Sequence, residues 1–438
     1  MTGILGRGWW LGIALVAAGV VLGAAVLAGL TGATGAPAGP AGAGLARAPV
    51  QADPLDTSIR RAQERLRDHP GDALTWAQLG GGYVERARIS ADPGYYSRAA
   101  GALDRSLQLQ PAGNAEAMIG LGALANARHD FAAARDWAQR ARQLRPSTAA
   151  VYGVLADALT QLGDTDGATA ALQRMLDLHP GVAAFTRASY DLELHGRVAD
   201  ARRALEQALA DATSRADIAF CRYYLGELAF NSGDLGEAAR QYEQGLAAAP
   251  HDVALLAGTA RIDAAQGRTA EALETYRGVT ARLPLYLQEY GELLAVTGHP
   301  EQARQQFDLY RTQQALYQAQ GASDELALAV FLADHGDPAE ALRHAEAEWQ
   351  RRQSVFTADA LAWALHAVGR DADALAFADR AAALGWRNAT LAYHRGMILQ
   401  RLGRDADARA ALAGALAINP HFSPLHAPRA EQALAALR

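Results

Sequence analysis

Lysine is missing from this chain, and all 41 of its basic residues are arginine. That excludes a phosphate-loop lysine and a Schiff-base lysine. Cysteine occurs once, at Cys221, so no intrachain disulfide can form. Beside Phe220 in an apolar helical pattern, that thiol is expected to be a small buried group. Basic charge is not in surplus either: the net charge is −6, so no overall field favours nucleic acid and no nucleic-acid partner is expected. The chain lacks Gly-x-Ser-x-Gly, His-Glu-x-x-His, Cys-x-x-Cys and a phosphate-cradling glycine loop. Its twelve histidines are scattered. His129, His195, His299 and His335 fall at turns, and His421 and His426 lie in a proline-containing loop, where solvated side chains are expected. Carboxylates are expected on outer faces. No metal, cofactor or catalytic residue is therefore expected, nor enzymatic activity.

What the chain does have is a period. Gly163, Gly196, Gly233, Gly267, Gly298, Gly336, Gly369 and Gly403 recur at intervals of 31 to 38 residues. Each is followed five residues later by alanine, from Ala168 and Ala201 through Ala238 and Ala272 to Ala408. An apolar helical pattern precedes each glycine, so the unit is helix–turn–helix. In Ala219–Pro250, Leu225-Gly226 sits in the first helix and Gly233-Asp234 makes the turn. Ala238 is small where helices cross, Tyr242 fills the next gap, and Pro250 stops the second helix. A single helix pair cannot bury its own apolar face, so about ten such pairs must stack.

Trp76-x2-Leu79-Gly80-x2-Tyr83, with Ala99 and Pro111 downstream, resembles the tetratricopeptide consensus, and similar copies extend over roughly residues 73–420. The resemblance implies an all-α, right-handed superhelical solenoid of about ten repeats with end-capping helices. Caps are expected near 55–69 and 428–437, so that 54–438 is one domain. Residues 182–214 have Ser189 where glycine is usual and no terminal proline. Residues 322–354 carry Glu325 and Ala329 in the consensus Trp and Gly columns and also lack the proline. A seven-residue insertion around Ser90–Tyr96 is expected to lengthen the first turn. Leu121–Ala134 and Ile418–Pro428 are similar to segments of actinobacterial exported or membrane-anchored tetratricopeptide proteins, which implies no enzymatic activity.

Trp9 to Leu30 is an unbroken apolar run of 22 residues, long enough to span a bilayer. Arg7 precedes it and no further positive charge follows until Arg47. Both a retained anchor and a cleaved signal, with small-residue triplets at Ala36–Ala38 and Ala41–Ala43, place the repeats outside the cytoplasmic membrane. Residues 31–53, rich in Gly, Ala and Pro, form an expected tether.

In tetratricopeptide folds the first helices line a concave groove. The resemblance implies that Tyr190, Glu193, Tyr223, Glu227, Asn231 and Arg261 face it, followed by Glu292, Trp363, His366, Tyr393 and Gln400. Asn126, Asp157, Gln161 and Arg401 share that register. Such a mixture suits an extended peptide or a partner's helix, and Tyr190, Tyr223, Trp363 and Tyr393 are the expected anchors. Each aromatic has a competing role as a filler between repeats. The expected function is an extracytoplasmic, membrane-associated scaffold for a peptide or protein partner. The alternative is a substrate-capturing accessory of an envelope transporter or cell-wall enzyme.

Overall fold

The computed structural model describes residues 54–322 and 324–437. Among them are 22 α-helices, one 3-10 turn and no strand. The chain opens with α1 (Pro54–Asp68). Five pairs follow: α2 (Ala73–Ser90) with α3 (Gly94–Leu109), α4 (Ala115–Ala127) with α5 (Phe131–Leu144), α6 (Ala149–Leu162) with α7 (Thr165–Leu178), α8 (Val182–Leu194) with α9 (Val198–Asp211), and α10 (Arg215–Asn231) with α11 (Leu235–Ala248). Five more complete the array: α12 (Val253–Ala265) with α13 (Thr269–Arg282), α14 (Leu287–Val296) with α15 (Pro300–Ala319), α16 (Glu325–His335) with α17 (Pro338–Arg351), α18 (Val355–Ala367) with α19 (Asp371–Ala381), and α20 (Ala389–Arg401) with α21 (Asp405–Ile418). The last helix is α22 (His426–Ala436). The ten pairs are repeats 1 to 10.

Local chemistry sets the ends of these helices. Asp130, Asp164, Asp234, Asp252 and Asn114 each accept a backbone N–H from the first turn of the helix they precede. Gly163 and Gly233 turn the chain between paired helices at φ of 85° and 81°, where a Cβ is disfavoured. His129 takes the same left-handed conformation in repeat 2. Gly336 is the exception in the turn column, since it closes α16 in an extended conformation.

The consensus columns have a direct packing meaning. The alanines from Ala168 to Ala408 are all buried where paired helices cross. The Tyr242 ring fills the space that a Cβ on Gly226 or Gly258 would need, and Leu103 does the same at Gly80 and Gly120. First-helix glycine and second-helix bulk are therefore one complementary contact. The insertion near Ser90–Tyr96 does not lengthen the turn much. It prolongs α2 to 18 residues, and Tyr96 lies inside α3, fully buried. Helix continuation satisfies the extra backbone groups at lower cost than an exposed loop.

The array is not an open spiral. The turns inside repeats 1 to 5 lie edge to edge against the segments that follow repeats 7 to 10. The Tyr317 hydroxyl donates to the Ala91 carbonyl at 2.8 Å, Arg351 Nη2 to the His129 carbonyl at 2.8 Å, and Asn419 Nδ2 to the Phe230 carbonyl at 2.8 Å. After just over five repeats the chain returns upon itself, and this edge contact is a seam. Among the described residues no helix is long and apolar enough to cross a membrane. The Trp9–Leu30 run and the tether lie outside the described residues.

Candidate functional site

The two helices of a pair are buried very differently. First helices α4, α10 and α18 bury ten residues each, whereas second helices α5, α9 and α12's partner α13 bury three or four. The first helices therefore sit on the inside, and the polar side chains they carry must find partners there. They do so in three groups.

The first group joins repeats 5, 6 and 7. Glu227 accepts the Tyr242 hydroxyl at 2.7 Å and Arg261 Nη1 at 3.0 Å. Arg261 also lies 4.0 Å from Glu289, which accepts the Tyr276 hydroxyl at 3.0 Å. The Arg261 guanidinium sits over Phe230, 5.2 Å from the ring centre. Burial pushes the Glu289 carboxyl up to about 7 despite Arg261 beside it.

The second group gathers aromatic and imidazole rings in repeats 7 to 10. Glu292, 1% exposed, accepts Gln288 Nε2 at 2.9 Å and lies 3.0 Å from His335 Nε2. Asp334 accepts Trp363 Nε1 at 3.0 Å and lies 3.2 Å from His426 Nε2. Burial alone would raise Asp334, yet His426, His335 and the indole N–H hold it down to about 2. The Trp363 ring lies between His394, 4.0 Å away, and His366, 4.9 Å away. Tyr393 stacks on His426 at 4.9 Å, and His394 pairs with Asp359 at 2.9 Å. His366 pairs with Asp371, and burial lowers the pKa of the imidazole. Among the described residues no cluster has the ligands of a metal site.

The third group lies along the seam. Tyr190 stacks on Phe356, with ring centres 6.4 Å apart, and Phe356 in turn meets Trp386 edge-on at 5.6 Å. Burial pushes the Glu193 carboxyl up to about 7, against the opposing effect of the Trp386 and Asn231 side chains beside it. Arg352 is paired with Glu348, bonded to Gln161, and seated over Phe131 with its guanidinium 4.7 Å from the ring centre.

These placements correct the expectation of an open groove. Glu193, Tyr223, Glu227, Arg261, Glu292, Trp363 and Tyr393 are buried, and so are Asn126 and Gln161. Tyr190, Asn231, His366 and Gln400 are half-buried. The cause is neighbour packing: Tyr223 meets Tyr224 and Tyr242 across 5.2 and 6.3 Å, and Glu227 is covered by Tyr242 of its own repeat and Arg261 of the next. The structure brings Tyr190, Glu193 and Asn231 together, and separately Glu227 with Arg261 and Trp363 with His366 and Tyr393. The expectations of solvated histidines and outward carboxylates also fail at particular residues. His129, His394 and His426 are buried, as are Glu289, Asp324, Glu348 and Asp359. His299 is exposed, as expected.

Sequence reasoning missed Arg352, Phe356, Trp386 and Asn419, the C-terminal side of the seam. A signal for one of them was present. Arg352-Gln353-Ser354 stands where residues 322–354 lack the usual terminal proline, so the backbone there keeps the donors and shape that a seam needs.

Residues 186–253 and 229–296 match family models described as tetratricopeptide repeat. No curated protein matches the sequence significantly. Among solved structures, the human IFIT1 dimer with PPP-AAAA is 14% identical, with a TM-score of 0.43, over 83% of this chain and 87% of that one. A thermophilic tetratricopeptide protein of Thermus thermophilus is 20% identical, with a TM-score of 0.36, over 48% of this chain and 98% of that one. The structure of Naa15/Naa10 bound to HypK-THB is 17% identical, with a TM-score of 0.28, over 84% of this chain, which spans only 61% of that longer chain. With the ten helix pairs, the small-residue columns and the two matched segments in place, the fold of this chain is a tetratricopeptide-repeat superhelix.

Proposed function

We propose that this chain is a non-enzymatic interaction scaffold that holds a peptide or protein partner against the inner side of its repeats. Tetratricopeptide repeats generally mediate protein–protein interactions, and that general role is the starting point. The observation that carries the reading is the group at the seam. Tyr190, Glu193, Asn231, Phe356 and Trp386 place aromatic faces, a carboxyl and an amide within one patch drawn from two distant parts of the chain. That mixture suits a segment carrying donors and an apolar side chain. The negative net charge and the inner carboxylates disfavour a nucleic-acid partner.

We further propose that the Trp9–Leu30 run directs the repeats to the outer side of the cytoplasmic membrane, as in the exported or anchored proteins that Leu121–Ala134 and Ile418–Pro428 resemble. A cytoplasm-only reporter fused to Arg438 should stay silent, and strong signal would contradict the topology. The partner reading is tested by capture with wild-type and Tyr190→Ala chains from the envelope of the source cell. A protein retained by the first and lost from the second, with helical circular dichroism unchanged, supports it. Equal capture by both removes the patch from consideration.

A further inference from the structure

The seam has the construction of a contact that can part. Its bonds run largely to backbone carbonyls, at Ala91, His129 and Phe230, which water can replace when the edges separate. Closure also leaves polar atoms without partners beside it. The Tyr190 hydroxyl, Asp324 Oδ2 and Arg352 Nη2 are buried with no hydrogen bond. Each offsets part of what the Tyr190, Phe356 and Trp386 rings contribute by leaving water.

The turn glycines supply an internal control. Gly163, Gly196, Gly233, Gly369 and Gly403 share the left-handed backbone conformation. At Gly369 and Gly403 nothing lies within 4 Å of where a Cβ would stand. At Gly163, Gly196 and Gly233 the Cβ would collide with the carbonyl oxygens of Gln353, Gly385 and Ile418. Only the seam turns are pressed against another backbone.

A pivot is available halfway round. Gly267 and Gly298, in repeats 6 and 7, have nothing near their Cβ positions. Between these repeats lies the 3-10 turn Pro284–Tyr286. It leads into α14, which at 10 residues is the shortest helix described and has no side-chain cap at its start.

We propose that the seam is a reversible closure, in which repeats 1–5 and 7–10 part about the 284–286 turn and uncover the Tyr190–Glu193 and Phe356–Trp386 edges. If the proposed function holds, a partner reaches that patch only in the parted form. The closure itself does not depend on any partner, so its test needs none.

The experiment places spin labels at Gly101→Cys and Ala315→Cys in the full-length chain, exposed positions about one turn away from Ser97 and Gln320, whose side chains face each other across the seam at 3.0 Å. Cys221 is buried and its thiol is pushed up to about 12, so it stays unlabelled. Pulsed dipolar spectroscopy should resolve a short and a long distance together in the otherwise wild-type chain. Gly196→Ala should move weight to the long distance, while Gly369→Ala, with the same backbone strain and no neighbour, should leave the distribution unchanged. If Gly196→Ala loses its helical circular dichroism, Arg351→Gln serves instead, because it removes the donor to the His129 carbonyl, along with a pairing to Glu348 on its own helix. A single short distance in every variant shows a permanent closure and overturns the inference. A single long distance in the parent overturns it too, as does an equal response to Gly369→Ala. Closure established without any captured partner leaves this inference standing and the proposed function unsupported.

Discussion

Arg261→Met tests the claim that charge inside this superhelix is held by pairing and not by water. The guanidinium is buried between Glu227 and Glu289 and lies over Phe230. Methionine keeps most of the apolar stem and removes the charge. Removing one partner of a buried ion pair costs about 3–5 kcal/mol, because the opposite charge stays behind in a poor solvent. Two features place this site in the lower half of that range. The Tyr242 and Tyr276 hydroxyls go on donating to the two carboxylates. The Glu289 carboxyl, already pushed up to about 7, can take a proton in place of the lost cation. The expected cost is therefore about 3 kcal/mol near pH 8, falling to about 1 kcal/mol near pH 5.5, where protonation relieves the orphaned carboxyl and only lost hydrogen bonds remain.

A global melt is a poor assay, since long repeat arrays unfold in parts. Native-state hydrogen exchange of the amides in α10 and α12 reads the local opening free energy directly. A second variant, Arg261→Met with Glu227→Met, replaces the pair with apolar volume and should recover part of the loss, as neighbouring sites couple. A cost below about 0.5 kcal/mol at both pH values would mean that the site behaves as surface, and the argument for a dry inner face would fail.

Other perturbations follow from the same geometry. Ala238→Trp and Ala408→Trp insert an indole where helices cross without free space, so each should cost at least about 1–3 kcal/mol in its own repeat, read as a lower urea midpoint; unchanged midpoints would put these alanines outside the crossing. Glu292→Ala leaves Gln288 and His335 without their acceptor, so it should cost about 1–3 kcal/mol, with Glu292→Gln restoring much of the loss in the same urea titration. Stability should also depend on pH in a defined sense. The carboxyls of Glu193, Glu289 and Asp324, pushed up to about 7 from ordinary values of 4.5 and 3.8, contribute stability that is complete below those ordinary values and lost as pH rises through about 7. Asp334, held down to about 2, contributes stability present above 3.8 and lost as pH falls towards 2. Urea midpoints should therefore be higher at about pH 5 than at about pH 8, with a smaller difference in Glu193→Gln; a higher midpoint at the alkaline end would reverse the assigned signs.

The repeat was legible because its columns report contacts between neighbours in the chain. Gly226 beside Tyr242 and Ala238 at the helix crossing are local complementarities, and they recur because each pair packs on the next in nearly the same way. The inner face was legible only in part. Helical register put Glu193, Glu227 and Arg261 on first helices facing a groove, and the structure has all three buried. It did not show that Tyr242, Trp386 or Glu289 would cover them, because the covering residue comes from the second helix, the next repeat or the far side of the seam. A register argument counts residues along one helix and has no information about what arrives from another.

The seam is the feature that column reading cannot reach, for a physical reason. Its partners are separated by 226 residues at Ala91 and Tyr317 and by 189 at Phe230 and Asn419. Whether they meet depends on the sum of many small rotations from repeat to repeat, so a small change in each decides between an open spiral and edge contact. The irregular units act on that sum. The insertion carries α2 to Ser90, so that Ala91 reaches Tyr317, and α15 runs for 20 residues, long enough to bring Tyr317 to that edge. The missing proline after repeat 8 leaves Arg352 and Ser354 to fill the next rung, where Arg352 bonds to Gln161. Departures from consensus thus supply part of the long-range contact, at Ala91, Tyr317 and Arg352, while the turn glycines Gly163, Gly196 and Gly233 belong both to the repeat and to the seam.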